Sequence, residues 1–106
     1  MYKQIDEVAP KEMVKGFHAR FIHTETMTMA FLEVEAGAAM PVHQHVNEQI
    51  SQVLEGKFEL TVGGEKRVLE PGCVAIIPSN IPHGGIAVTD CKLLDVFSPP
   101  REDYKF

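Results

Sequence analysis

Glycine and proline recur so often along this chain that no segment longer than about ten residues keeps apolar side chains at the three-and-four spacing of an amphipathic helix. Between the interruptions lie short runs rich in Val, Ile, Phe and Thr, the pattern of an all-β sandwich or barrel. They predict strands over residues 16–23, 26–35, 42–45, 49–54, 57–62, 66–69, 73–77, 85–88 and 92–97, with helix a minor component.

The clearest turn is Val62-Gly63-Gly64-Glu65, where two glycines supply the positive φ angles of a tight hairpin. Glu70-Pro71-Gly72 marks a second, Pro setting φ for the bend and Gly ending it. Pro99 and Pro100 lack the ladder N–H, so the chain must leave the sheet after Ser98. Met27, Met29 and Phe31 alternate with Thr26, Thr28 and Ala30, which makes one strand face bulky and apolar; that face is read as core.

A chain of 106 residues holds one domain with a real core and is too short for two. Residues 1–106 are therefore expected to form a single barrel, with 1–15 as an N-terminal arm and 98–106 as a C-terminal tail. The net charge of -5, with Lys and Arg scattered, argues against a nucleic-acid partner. Met1 to Pro10 carries Asp6 and Glu7 and no apolar run, so no signal peptide or membrane segment is expected and the default location is cytoplasmic. Cys73 and Cys91 make no Cys-x-x-Cys pair and are read as buried thiols rather than nucleophiles.

The chemistry concentrates elsewhere. His43 and His45 stand at i and i+2, which on a strand puts both imidazoles on one face, about 7 Å apart along the backbone. That spacing suits shared metal ligation; a new strand at Gln49 would bring its amide oxygen to the same side, and His83, at a turn, would close the set. His18 and His23 are read as structural or surface residues, and Arg20 and Gln52 are left out of the site.

At these residues the chain resembles the cupin superfamily. Its first motif is Gly, five residues, His-x-His, three or four residues, an acidic ligand, six residues, Gly; here it reads Gly37, His43, His45, Gln49 and Gly56. Gln49 replaces the usual Glu, and Glu48, one residue earlier, should face outward because a one-residue step on a strand reverses the side chain. The second motif is matched by Gly72, Pro78 and His83, with Asn80 where the family has Gly; Asn tolerates the left-handed backbone that turn needs. The resemblance implies a cupin-type double-stranded β-helix, or jelly-roll barrel, holding one divalent transition metal. With three imidazoles and a neutral amide, Ni, Zn, Fe, Co or Mn all fit, and the uncompensated charge favours an anionic ligand.

The last strand, Lys92 to Phe97, places Asp95 and Phe97 on one face, and Arg101 follows the Pro turn. A carboxyl inside a barrel has a raised pKa and makes a usable acid or base. This tail, together with Glu48-Gln49-Ile50, Val53 to Gly56 and Pro78 to Gly84, is similar to a narrower group, the small cupins called pectin degradation proteins. That resemblance implies metal ligands at His43, His45, Gln49 and His83, and activity resting on Asp95, Phe97 and Arg101. It also implies a substrate that is a small anionic sugar acid: a 4,5-unsaturated monouronate from pectin or alginate, converted from the cyclic to the linear keto form. In this reading Phe97 packs on the sugar ring and Arg101 supports its anion. Another metal-dependent cupin enzyme, such as a dioxygenase or sugar isomerase, and a non-catalytic binding cupin stay open. A homodimer is expected, with the N-terminal segment a candidate for adding a strand to the partner.

Overall fold

The computed structural model describes residues 1–106 as ten strands: β1 (Lys11–Glu12), β2 (Phe17–His23), β3 (Thr28–Val34), β4 (Ala39–His43), β5 (Glu48–Glu55), β6 (Phe58–Val62), β7 (Glu65–Leu69), β8 (Val74–Ile77), β9 (His83–Ala87) and β10 (Cys91–Ser98). Short 3-10 turns at Ile5–Glu7 and Glu102–Tyr104 are its only helix. The strands form two antiparallel sheets, ordered β1-β2-β3-β10-β5-β8 and β4-β9-β6-β7, whose inner faces enclose the core in a jelly roll. Phe17, Leu32, Val34, Val53, Phe58, Leu69, Ile77 and Leu93 fill it, with the Phe17 and Phe58 rings edge to face at 6.0 Å.

The turns form as their residues dictate. Gly63 and Gly64 have φ of 54° and 85°, and Val62 pairs with Glu65 across the hairpin. Asn80 takes φ 59° and donates its N–H to the His45 carbonyl at 2.8 Å, tying the two motif loops together. β10 ends at Ser98, where the prolines begin.

Two expectations change. The expected core face of β3 is the outer one: Thr28 and Ala30 are fully buried and Met27 is exposed. Inside, Ala30 is cross-strand to Asp95, and Thr28 accepts a hydrogen bond from the Arg101 N–H, so small residues leave room for the site. The bulky residues instead join a row across five strands, Ile22–Met29–Val96–Ile50–Ile76, each directly opposite the next on the outer face. β4 stops at His43, paired with His83, so His45 lies beyond the strand. In the arm, β1 pairs with β2 of its own chain.

Candidate metal centre

The cluster joins the two sheets. His43 ends β4 and His83 opens β9, cross-strand partners in the four-stranded sheet; Gln49 sits on β5 of the six-stranded sheet, and His45 lies in the loop between them. The ring centroids of His83 stand 4.3 Å from His43 and 4.9 Å from His45, and one nitrogen from each of the three rings lies within 4.8 Å of the others.

Each ring is aimed by its own backbone. Nδ1 of His43, His45 and His83 donates to the carbonyls of Pro41 (2.8 Å), Asn47 (2.9 Å) and Ile81 (2.8 Å), because a carbonyl only accepts. In the neutral rings this leaves every Nε2 as a lone pair turned to the common centre. Burial holds His83 below the ordinary histidine pKa, and burial followed by the Arg101 charge does the same for His45.

Two features fit a cation. The buried His83 Nε2 has no hydrogen-bond partner. The Gln49 Oε1 and His45 Nε2 atoms face each other at 3.2 Å, and with His45 Nδ1 carrying the proton neither is a donor. Neighbouring ligands on one ion with bonds of about 2.1 Å are separated by roughly 3.0–3.4 Å, so that distance suits two donors to one metal. Glu48 points outward, as its one-residue offset requires.

Asp95 and Phe97 face the same cavity, which His43, Gln49, Ser51, His83 and Arg101 also line. Burial pushes the Asp95 carboxyl up to about 6, against a hydrogen bond from Ser51 and the Arg101 charge, which pull it down; its Oδ1 has no partner. Arg101 is 6% exposed. Its Nε and Nη2 donate to the two oxygens of Asp103 at 3.0 and 2.8 Å, and its guanidinium lies 4.2 Å from the Tyr104 ring centroid and 4.9 Å from that of Phe97. The hydrogen bonds from Arg101 hold Asp103 below the usual carboxylate range, against its partial burial, which pushes it up. Phe97 is only 2% exposed, with Arg101 over one side and the His45 ring 5.8 Å away.

The tail is anchored by residues that sequence reasoning missed. Asn47 donates to the Pro99 carbonyl at 2.6 Å, and Thr28 takes the Arg101 N–H at 2.9 Å while pairing with His23 Nδ1 at 2.8 Å. His23 is thus structural, also reaching the Tyr104 carbonyl at 3.1 Å. His18 contacts Glu35 and Glu12 on the surface, at 3.2 and 3.5 Å. Arg20 faces away, bonded to the Val8 carbonyl at 3.0 Å. Cys91 is buried and Cys73 half-buried, both free thiols. Of the missed residues only Ser51 carried a sequence signal: two residues after Gln49, it shares its strand face.

Comparison with known proteins gives the same architecture. The cupin domain family matches residues 30–97. The pectin degradation protein KdgF of Dickeya dadantii (strain 3937) is 31% identical over 102 residues, covering 93% of each chain. The structure of KdgF from Halomonas sp. superposes with a TM-score of 0.92 at 30% identity, over 99% of this chain and 98% of that one. An RmlC-like cupin from Shewanella frigidimarina NCIMB 400 superposes at 0.93 with 28% identity, over 98% and 95%.

Proposed function

The chain belongs to the cupin family, and we propose that it converts 4,5-unsaturated monouronates released from pectin or alginate from the cyclic hemiacetal to the linear keto acid, with a divalent transition metal held by His43, His45, Gln49 and His83. The observation that carries this reading is the buried Asp95 carboxyl, raised to about 6 and lining one cavity with His43, His83 and Arg101. Likeness to the pectin degradation protein along 93% of both chains supports the substrate class.

Bound at the cluster, the metal would supply an electrophile for the substrate's carboxylate and an adjacent oxygen. No carboxylate belongs to the ligand set, and Arg101 adds positive charge beside it, so the site favours an anion. Asp103 occupies one edge of the Arg101 fork and leaves Nη1 for the substrate carboxylate. The Phe97 and Tyr104 rings both pack against the guanidinium. Ring opening breaks the bond between the anomeric carbon and the ring oxygen as the anomeric hydroxyl loses its proton, giving an aldehyde and an enolate. Protonation of that enolate at C4 gives the 5-ketone. One proton leaves oxygen and one arrives at carbon, with no oxidant consumed, so a single carboxyl near pKa 6 suffices to carry both; Asp95 takes that role.

Two copies pair, in this proposal, through the apolar row Ile22–Met29–Val96–Ile50–Ile76, whose Ile50 and Ile76 are 45% and 68% exposed. Free thiols at Cys73 and Cys91 suit the reducing cytoplasm.

Proton NMR of an unsaturated galacturonate monomer in D2O, under nitrogen, tests the reaction. Loss of the vinyl signal with one deuteron entering C4, faster than in the protein-free control, is the expected result. A reaction that needs oxygen points to a cupin dioxygenase instead, and saturable binding without turnover points to a binding module.

A further inference from the structure

We propose that Ser51 is a positioning residue whose hydroxyl fixes which end of the Gln49 amide faces the ligand cluster and joins that amide to Asp95. The inference rests on the metal reading of His43, His45, Gln49 and His83 and deepens it. Gln49, Ser51 and Asp95 are all buried, at 7%, 8% and 9% exposure. Gln49 and Ser51 share one face of β5, and Ser51 is directly opposite Asp95 on β10. The Gln49 Nε2 donates to the Ser51 oxygen at 2.8 Å, which turns Oε1 toward His45 Nε2 at 3.2 Å. A flipped amide would present an NH2 group there, and an amide nitrogen with its hydrogens is no metal donor.

The direction of the chain of bonds follows from counting hydrogens. A serine hydroxyl has one proton and two lone pairs. Since the amide N–H occupies a lone pair, the proton is free for the Asp95 carboxyl, which stands directly opposite Ser51 on the neighbouring strand. This supplies a reason for glutamine where cupins carry glutamate. A carboxylate at position 49 has no hydrogen to give, so two acids would contest the single Ser51 proton, and the ligand would lose the contact that orients it. Ser51 therefore acts through Gln49 and Asp95 rather than on substrate.

Binding of Co2+ to metal-free protein, followed by its visible absorption bands and by competition with a chelator, gives a readout independent of turnover. Ser51→Ala is expected to weaken Co2+ binding about tenfold or more and to change the bands, whereas Ser51→Thr, which restores a hydroxyl, returns affinity to within about threefold of wild type. Far-UV circular dichroism and a thermal melt establish that each variant folds. If Ser51→Ala does not fold, Ser51→Cys, of similar size with a weak hydrogen-bonding group, takes its place in the same titration with the same expectation. A folded Ala or Cys variant that matches wild-type affinity and bands overturns the proposal, as does a Thr variant that folds and binds no better than Ala. If wild-type protein leaves unsaturated galacturonate unconverted while the cobalt series behaves as expected, the uronate reading fails and the Ser51 assignment stands.

Discussion

Asp95 is a carboxyl buried at the expense of the fold. Its carboxyl titrates near 6 in the folded protein, against an ordinary value of 3.8. Between those values the native state binds more protons than the unfolded one, so stability falls as pH rises through that window. At neutral pH the buried charge costs on the order of 2–3 kcal/mol. Metal-free Asp95→Asn is therefore expected to melt several degrees higher than wild type at pH 7.5, with the gap closing toward pH 4; equal melting temperatures at pH 7.5 contradict the raised pKa. His83 acts in the opposite direction. Burial keeps it neutral, and its unpartnered Nε2 faces the cluster, so His83→Ala should lower Co2+ or Zn2+ affinity at least a hundredfold in a chelator competition.

At the level of the elements, two loops and a tail bring residues from distant strands to one mouth. Asn80 occupies the left-handed region at φ 59° and ties its loop to the His45 carbonyl. Asn80→Ala should cost about 1 kcal/mol in a denaturant melt, and Asn80→Gly far less, because the short polar side chain of Asn tolerates that backbone better than a bare methyl and Gly has no Cβ to oppose it. Thr28 anchors the tail from below. Thr28→Val removes the acceptor for the Arg101 N–H and the partner of His23, and is expected to raise KM for the anionic substrate more than it lowers kcat. Much of this level was legible in sequence. Gly63-Gly64, Glu70-Pro71-Gly72 and Asn80 encode local backbone angles, and the strands they bound lie within a few residues of their expected positions. The convergence of His43, His45, Gln49 and His83 followed from motif spacing. Asn47 and Thr28 did not, because each acts across the fold on Arg101 or its tail, and no local period records that contact. Alternation on β3 showed two faces and not which was inside; the deciding fact, a small-residue face beside Asp95 and Arg101, is tertiary.

For the molecule as a whole, the two sheets divide the work. The four-stranded sheet carries His43 and His83, and the six-stranded sheet carries Gln49, Asp95 and Phe97 on its inner face and the apolar row on its outer one. No helix is long and apolar enough to cross a membrane. Sedimentation equilibrium should give twice the chain mass of 11.8 kDa, and Ile50→Lys with Val96→Lys should give the single chain; a wild-type monomer contradicts pairing through this face. Both changes lie outside the barrel, so they leave the cavity intact. The measurement that bears most directly on the function is loss of absorbance by an unsaturated galacturonate monomer, followed with metal-loaded wild-type protein, chelated protein and metal-loaded Asp95→Ala. Metal- and Asp95-dependent uronate linearisation requires loss above the spontaneous rate with the first alone, and three traces that coincide with the protein-free blank would contradict it.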